Sequence, residues 1–307
     1  MLTRTSASCV TAPSQSKAGT VTPKAIGHKE FAFLPADFDR IRQLIYQRAG
    51  IALGQGKQEM VYSRLSRRLR TLRLSSFTAY LDHLQGQGDE SEWELFTNAL
   101  TTNLTSFFRE EHHFPILAAH ARDCAAPMKV WCNASSTGEE PYSIAITLCE
   151  AFDSLRPPVS ILATDIDTRV LQEASDGVYP MDRVADLSEE RRKRFFLRGT
   201  GDQAGKVRIR PELRSLIEFQ PLNLLNANWA VKGPLDAIFC RNVMIYFDKP
   251  TQKRILERFV PLMKPDALLF SGHSENLGFV TDLFRLQKKT VYQLQANASQ
   301  RGRAGLC

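Results

Sequence analysis

The spacing of apolar residues changes near residue 101 and divides the chain into two parts. From about 31 to 101, apolar residues recur every three or four positions, which is typical of amphipathic helices. Phe38, Ile41 and Leu44 form one such stripe, and three further segments show the same period. The pattern predicts four short helices, which together make a small all-α domain at 31–101.

From 102 to 295 the pattern instead alternates short apolar runs with helical segments. The predicted strands are 128–133, 160–166, 215–220, 235–243 and 267–273. Predicted helices include 141–152 and 249–264, and a final pair of strands is predicted at 283–295. Buried strands separated by helices predict an α/β fold with a mainly parallel sheet covered on both faces.

A polar, strongly charged insert interrupts this α/β pattern at 178–214. Its glycine-rich turn, RGTGDQAGK, lies between two short runs that are placed to pair as a β-hairpin. Residues 1–30 are rich in Ser, Thr, Ala and Lys and carry no acid before Glu30, so we predict a disordered tail there. A flexible tail is predicted at 296–307.

Composition narrows the class of protein. Hydrophobic residues make up 43% and charged residues 24% of the 307 residues, which is typical of a soluble globular protein. No apolar stretch approaches about 20 residues, so we predict no transmembrane helix and no direct membrane insertion. The six cysteines are scattered without C-x-x-C spacing, which favours reduced thiols in a cytoplasmic protein over disulfides or a zinc site.

A formal net charge of +7 raises the question of an anionic partner. Much of the charge lies in one predicted helix, KQEMVYSRLSRRLRTLRL, where Arg64, Arg67 and Arg68 accompany an apolar stripe. Such a helix can bind an acidic surface, or it can be a solvated face that aids solubility. Nucleic acid, a membrane surface and an acidic protein are all partners that the charge alone permits.

The stretch NASSTGEEPYSIAITL, at 133–148, is the first candidate for a ligand site. A strand, a tight turn at Gly138 and the start of a helix bring backbone N–H groups near a ligand, as in nucleotide sites. The two acids that follow, Glu139 and Glu140, would repel a pyrophosphate but favour a cation. A sulfonium with an ammonium group and a ribose therefore fits this turn better than NAD does. Alternatively, the acids only complement the helix dipole.

Two later strands end in polar side chains of the kind that such a site requires. ATDIDT ends the second strand, and Asp165 or Asp167 is placed to accept hydrogen bonds from both ribose hydroxyls. DAIFCRNVMIYF ends the fourth strand, and its candidates are Arg241, Asn242 and Tyr246. For Tyr246 the alternative is a core aromatic residue with a satisfied hydroxyl.

The segment TTNLTSFFREEHHF stands just before the sheet. Asn103, Thr105 and Arg109 are two and four residues apart, so a bent chain can present all three to one ligand. His112 and His113 resemble a metal pair, but neighbouring side chains point in different directions on a helix. We therefore predict no metal site.

Six motifs together resemble the CheR family of chemotaxis protein-glutamate O-methyltransferases. They are TTNLTSFFREEHHFPIL, SSTGEEPYSIAITL, LATDID, FQPLNLL, FCRNVMIYFDKPTQ and SGHSENL, and the similarity runs in the family's order from about 34 to 295. The resemblance implies a Rossmann-like methyltransferase domain with a small β-subdomain insert, preceded by a small all-α domain. It also implies methyl transfer from S-adenosylmethionine to glutamates of chemoreceptors, which yields glutamyl methyl esters and S-adenosylhomocysteine in sensory adaptation.

The resemblance further implies roles for individual positions. The cofactor pocket would be lined by Asn103, Thr105, Arg109, Glu140, Asp165, Asn223, Leu224, Arg241 and Asn242. Arg109 would lie close to the reacting centre and Tyr246 near the methyl group, so both are candidates to orient the acceptor carboxylate in catalysis.

Two surfaces are predicted to bind the receptor. The basic helix with Arg64, Arg67 and Arg68 would dock alongside glutamate-rich receptor helices through long-range attraction. The resemblance places a second contact on the insert, where some members grip a receptor C-terminal pentapeptide. The positions that match this grip are Arg198, Gly199 and Arg208.

Two other functions fit parts of this pattern. A nucleic-acid methyltransferase would also suit the positive charge. The chain lacks the Asn/Asp-Pro-Pro-aromatic step of amino-group methylation and the aromatic stacking platform of RNA binders, so we predict no nucleic-acid partner. A non-enzymatic adaptor that binds only the cofactor or the receptor is the other alternative, although every expected pocket position is filled.

Overall fold

The computed structural model describes residues 29–124 and 127–296. The helices are α1 Pro35–Ala49, α2 Gln58–Leu72, α3 Phe77–Gly86, α4 Glu90–Leu100, α5 His113–Asp123, α6 Glu139–Ala151, α7 Thr168–Asp176, α8 Glu189–Phe195, α9 Pro211–Arg214 and α10 Lys249–Phe259. The strands are β1 Met128–Cys132, β2 Val159–Asp165, β3 Val178–Pro180, β4 Phe196–Arg198, β5 Lys206–Ile209, β6 Ile217–Pro221, β7 Leu235–Cys240, β8 Met263–Ser271, β9 Phe284–Lys288 and β10 Val291–Leu294. The two predicted tails lie almost entirely outside the described residues.

Helices α1 to α4 pack around a core of their own, as the apolar stripes predict. Phe38, Ile41 and Leu44 of α1 are buried together with Leu65 and Leu69 of α2. Among the described helices, none is long and apolar enough to cross a membrane. Helices α1 to α4 thus form an all-α domain that precedes the sheet in the chain.

The main sheet has the strand order β6-β2-β1-β7-β8-β10-β9. The first five of these strands are parallel and the last two are antiparallel, so the predicted parallel sheet and final strand pair are confirmed. Successive β1 side chains enter opposite cores, since Val130 and Cys132 pack with α5 and α6 while Trp131 packs with α10. Both faces of the sheet are covered, which explains its continuous apolar strands.

The insert forms a separate three-stranded antiparallel sheet in the order β3-β5-β4. Strands β4 and β5 flank the glycine-rich turn, so the predicted hairpin is confirmed, and β3 adds a strand that the hairpin prediction did not include. The helix predicted at 249–264 is too long. It ends at Phe259 because Pro261 has no N–H to continue the helical hydrogen bonds, and β8 starts at Met263.

The all-α domain lies over the carboxyl ends of the central strands. The Thr101 hydroxyl donates to the Asp167 carboxylate just after β2, at 2.8 Å. The Ala52 N–H donates to the Tyr246 carbonyl after β7, at 2.9 Å. These contacts enclose a space between the domain and the sheet, at the edge where parallel α/β folds bind ligands.

Candidate functional site

A cavity of about 390 Å³ lies between the all-α domain and the carboxyl edge of the sheet. This volume is in the range of small-molecule sites. Its lining includes every predicted cofactor residue, and Tyr246 as well. The predicted residues in this lining are Asn103, Thr105, Arg109, Glu140, Asp165, Asn223, Leu224, Arg241 and Asn242. Residues from five separate stretches of the sequence are thus brought to one place.

Gly138 makes the tight turn between β1 and α6. Its φ angle is 99°, a left-handed conformation that favours glycine. A Cβ at this position would lie 2.8 Å from the Ala174 Cβ and 2.7 Å from the Tyr179 hydroxyl. The turn therefore requires glycine for conformation and for space, and it sets the start of α6 beside the cavity.

The two acids after this glycine have different surroundings. Glu139 is fully buried, accepts a hydrogen bond from the Thr137 hydroxyl at 2.6 Å and pairs with Arg183. It does not line the cavity, so its role is structural. Glu140 lines the cavity, and its Oε2 accepts from Arg241 Nη1 at 2.7 Å. Burial raises the pKa of Glu140, and the Arg241 charge opposes this shift.

Arg241 is the buried cation of the site. It follows β7, and its guanidinium donates to Glu140 and to the backbone carbonyl of Arg109. The guanidinium also lies 3.6 Å from the Glu110 carboxylate. Arg241 therefore joins the β7 end, the start of α6 and the segment before α5.

Asp165 is the last residue of β2, and its carboxylate is held by two backbone groups. Its Oδ2 accepts from the Ser136 N–H at 2.8 Å, and its Oδ1 accepts from the Asp167 N–H at 3.0 Å. Burial raises the pKa of Asp165 to about 6, although these N–H groups favour the ionised form. Asp165 lines the cavity.

Asp167, the alternative ribose acceptor, is used elsewhere. Its Oδ1 caps the N-terminus of α7 by accepting from the Arg169 and Val170 N–H groups. Its Oδ2 accepts from the Thr101 hydroxyl at 2.8 Å and the Asn103 amide at 2.7 Å. The side chain is fully buried and does not line the cavity, which leaves Asp165 as the acid available to a ligand.

The segment before α5 is bent, as predicted. Phe108 and Glu110 adopt φ angles of 53° and 55°, which are uncommon for residues with side chains. Phe107 and Phe108 pack against the sheet core. The Arg109 guanidinium donates to the Leu104 carbonyl at 2.9 Å, so this segment forms a fixed wall of the cavity.

A buried acid that the sequence prediction missed organises residues 241–247, which we call the β7 loop. Glu275 accepts from the N–H groups of Asn242 at 2.8 Å, Met244 at 2.7 Å and Ile245 at 3.3 Å. It also accepts from the Gly272 N–H at 2.6 Å. The motif SGHSENL, which contains this acid, was the available signal.

Asn223 and Leu224 form the wall of the cavity between the sheet and the all-α domain. The Asn223 amide donates to the Arg48 carbonyl at 2.7 Å, and its Oδ1 accepts from the Leu225 N–H at 2.9 Å. Leu224 is buried and presents an apolar surface to the cavity. This wall suits a planar apolar group such as a purine.

Ligand atoms of Glu110, His112 and His113 lie within 4.8 Å of one another, as metal ligands can. Burial, followed by the Arg241 charge, lowers the pKa of His113 to about 3. Since Arg241 already supplies a buried positive charge beside the same Glu110 carboxylate, the group does not favour a divalent cation. We assign no metal to it.

Two of the three arginines predicted to dock a receptor are in contact with α4 and the residue that follows it. Arg68 pairs with Glu92 of α4 at 2.5 Å, and Arg64 donates to the carbonyls of Ala99 and Thr101 at the end of α4. These two arginines are four residues apart and share the helix face that packs on α4. Arg67 lies off that face and is exposed.

The positions predicted to grip a receptor peptide lie on the insert sheet. Arg198 and Arg208 are exposed, and the Gly199 N–H donates to the Lys206 carbonyl at 2.9 Å. Leu197 is opposite Arg208 in the β4–β5 pair. Because alternate residues of an antiparallel strand bond to its partner, the Arg198 backbone groups point to the open edge of β4.

Two family models match the chain. The model described as CheR methyltransferase, all-alpha domain, matches residues 36–101, and the model described as CheR methyltransferase, SAM binding domain, matches residues 103–293.

The chain is also similar to named proteins over most of its length. It is 55% identical over 277 residues to chemotaxis protein methyltransferase 2 of Pseudomonas aeruginosa, covering 89% of this chain and 98% of that protein. It is 58% identical over 259 residues to the chemotaxis protein methyltransferase of Klebsiella aerogenes, covering 84% and 89%. The corresponding Escherichia coli protein is 53% identical over 266 residues, covering 87% and 93%.

Proposed function

The chain belongs to the CheR family and is an S-adenosylmethionine-dependent methyltransferase of chemoreceptors in sensory adaptation, and we propose how its residues carry out this reaction. The acceptors are glutamate side chains on the cytoplasmic helices of the receptors, and the products are glutamyl methyl esters and S-adenosylhomocysteine. The observation that supports this most is a single cavity that joins a buried carboxylate–arginine pair to a buried aspartate at the end of β2.

The lining fits S-adenosylmethionine by its chemistry. When bound, this cofactor supplies a methyl group on a positively charged sulfur. Glu140 offers a buried carboxylate to the ammonium group, Asp165 accepts hydrogen bonds from the ribose hydroxyls, and Leu224 with Asn223 lies beside the adenine. Asn103, Thr105, Arg241 and Asn242 complete the pocket.

The reaction needs no general base from the chain. A glutamate carboxyl in water has a pKa of about 4.3, so the acceptor is already ionised at pH 7. The residues therefore contribute positioning, which can supply up to about 7–11 kcal/mol, and exclusion of water. Arg109 and the Tyr246 hydroxyl orient the acceptor carboxylate, and unchanged turnover in Tyr246→Phe would remove that hydroxyl from this role.

Mild alkali separates this function from the alternatives. The protein is incubated with methyl-labelled S-adenosylmethionine and chemoreceptor-containing membranes, and the labelled band is then treated with alkali. Glutamyl methyl esters release labelled methanol, whereas methylated bases do not. Label that stays bound after alkali contradicts glutamate esterification, and cofactor binding without any transfer indicates an adaptor.

The raised pKa of Asp165 predicts pH-dependent affinity for S-adenosylhomocysteine. Only the ionised carboxylate accepts from both ribose hydroxyls, and its pKa is raised to about 6. Affinity is therefore expected to fall about eightfold between pH 6.5 and pH 5, as the carboxylate takes up a proton. Calorimetric titration of the wild type and Asp165→Asn checks this, since the variant binds weakly and without that pH dependence.

The raised pKa of Asp165 also affects the stability of the fold. Stability falls as the pH rises, whereas the affinity for S-adenosylhomocysteine rises. Between about pH 4 and 6 the folded chain keeps the Asp165 proton while the unfolded chain has lost it, so this residue's contribution to stability is lost as the pH rises through that range. Asp165→Asn removes this loss. If the affinity of Asp165→Asn for S-adenosylhomocysteine depends on pH as strongly as that of the wild type, the ribose contact is contradicted.

Arg67 is the residue of the predicted docking face that remains available to a receptor. It is exposed on α2, whereas Arg64 and Arg68 are held by α4 and support the helix instead. A basic helix attracts a glutamate-rich receptor helix over long range and mainly speeds their encounter. We therefore propose that Arg67 contacts the receptor and that Arg64 and Arg68 stabilise the packing of α2 on α4.

Arg67→Glu is expected to lower methylation at limiting receptor concentration about three- to fivefold, since one attractive contact becomes repulsive. Affinity for S-adenosylhomocysteine should not change. Methylation rates measured across ionic strength check this, because a steering charge loses its effect at high salt. Lys288→Glu, on the edge strand β9, makes the same charge change outside this face and serves as the control. A salt dependence equal to that of the wild type would count against docking.

The insert sheet is proposed to hold a receptor C-terminal pentapeptide as an added strand. Arg198 offers free backbone groups at the β4 edge, and Leu197, Arg208 and Val178 form one exposed row across the sheet. A peptide strand with apolar and acidic side chains fits such a surface. Arg208→Glu should weaken binding of a fluorescent receptor-tail pentapeptide at least tenfold, while Lys193→Glu on α8 should not.

We further propose a helical domain at 31–101 and a methyltransferase domain at 102–295 that contains the insert at 178–214. The separate apolar core of α1 to α4 and the matches at 36–101 and 103–293 support these limits.

A further inference from the structure

The rim of the cofactor cavity is formed by the exposed residues of its lining. Of its lining residues, the exposed ones are Ala52, Gly54, Lys57, Thr102, Leu104 and Ile245. Leu104 is 78% exposed and Ile245 is 51% exposed. None of these rim residues is acidic, whereas the two carboxylates of the lining, Glu140 and Asp165, are buried. The mouth of the cavity is thus mainly uncharged, with Lys57 as its one cation and its two carboxylates buried deeper.

The backbone of these two aliphatic residues is held in place by hydrogen bonds. The Leu104 carbonyl accepts from Arg109 at 2.9 Å, and the Ile245 N–H donates to Glu275 at 3.3 Å. The two segments that carry them are also joined, because the Arg241 guanidinium donates to the Arg109 carbonyl. An exposed apolar pair on fixed backbone loses little freedom when a partner covers it.

We propose that Leu104 and Ile245 form an apolar rim that binds the receptor helix beside the acceptor glutamate. This inference rests on the function proposed above and names the surface by which that site holds its substrate. The occupant is the helix that carries the acceptor, since its carboxylate must pass the exposed rim of this cavity to reach Arg109 and Tyr246.

The chemistry of the rim defines the partner. Residues three and four positions from the acceptor lie on the same helix face and come against Leu104 and Ile245. A charged side chain there loses its hydration without gaining a partner, so the rim favours uncharged neighbours. Lys57, which is also exposed at the rim, adds attraction for an acidic helix as a whole.

The test compares Leu104→Ser, Ile245→Ser and the double variant with the wild type. The substrate is membranes with chemoreceptors from a bacterium whose own methyltransferase has been deleted. We expect KM for receptor to rise about fivefold in each single variant and more than tenfold in the double variant. Turnover at saturating receptor and calorimetric affinity for S-adenosylhomocysteine stay within twofold of the wild type. Leu104→Met keeps the apolar contact and should restore KM.

Leu286→Ser is the matched control, because Leu286 is a 55% exposed leucine on β9 outside the cavity lining. An unchanged receptor KM in the double variant overturns the proposal. A parallel loss of S-adenosylhomocysteine affinity also overturns it, since the two residues would then serve the cofactor. If the wild type itself forms no alkali-labile ester, the proposed function fails first, and the rim proposal fails with it.

Discussion

Arg241→Met is expected to lower the free energy of unfolding by about 3–5 kcal/mol and to abolish methylation. The substitution leaves the Glu140 carboxylate buried without its partner at 2.7 Å. Removing one member of a buried ion pair is costly because the remaining charge is neither paired nor hydrated. The Arg109 carbonyl loses a donor in the same step, so the wall before α5 is loosened where the acceptor must bind.

Urea unfolding measured at pH 7 checks the loss of stability. Arg194→Met is the control, because it removes the ion pair between Arg194 and the exposed Asp153. It should lower the free energy of unfolding by less than about 1 kcal/mol. The double variant Arg241→Met/Glu140→Gln removes both charges and should recover most of the stability but none of the activity. A loss below about 1 kcal/mol in Arg241→Met would show that the pair is not buried in solution.

The loss of stability in Arg241→Met is expected to depend on pH. Burial already raises the pKa of Glu140 in the wild type, and loss of Arg241 removes the charge that opposes this shift. Glu140 in the variant therefore takes up a proton at a higher pH than in the wild type. The stability difference between the two proteins should be largest at neutral pH and should shrink as the pH falls and the carboxyl becomes neutral.

The location of the cavity could be predicted from sequence because strand ends converge. Asp165 and Arg241 lie 76 positions apart in the chain, yet each follows a buried apolar strand of one parallel sheet. Carboxyl ends of parallel strands meet at one edge, so the strand pattern together with the motifs was enough to group these residues. The glycine turn at 138 could be grouped with them for the same reason, because it follows β1 of the same parallel sheet.

Exposure of the α2 arginines could not be predicted in this way. Helical period places Arg64 and Arg68 on one face, but it does not say that α4 covers that face. Glu92, the partner of Arg68, is 24 residues further along the chain. Likewise, period alone did not distinguish Glu139 from Glu140. One of them meets Arg183 of the insert and the other meets Arg241 of the sheet.

The role of Glu275 could not be predicted from the sequence either. Its partners in the β7 loop precede it by about 30 residues, and they are backbone N–H groups, which no residue type in the sequence reveals. A single acid that accepts from four N–H groups is a fixed support, and the loop it supports carries Asn242 and Tyr246 into the cavity. Glu275 is therefore a positioning residue for the reaction.

Glu275→Gln is expected to lower turnover about 100-fold while S-adenosylhomocysteine affinity falls less than tenfold. An amide has one oxygen, so its NH₂ group faces N–H donors that lose their acceptor, at about 1–3 kcal/mol for each unsatisfied group. The loop then no longer holds Tyr246 in place, and a misplacement of about 1 Å can cost 100-fold in rate. Single-turnover kinetics, at a temperature where urea titration shows the variant to be folded, measure this effect.

Glu257→Gln is the matched control, because Glu257 is a half-exposed acid on α10 and should leave turnover unchanged. A purely structural role for Glu275 predicts less folded protein with normal turnover per folded molecule. A positioning role predicts slow turnover in molecules that are folded and bind the cofactor. Full turnover in folded Glu275→Gln would therefore exclude this acid from organising the site, even if the variant is less stable.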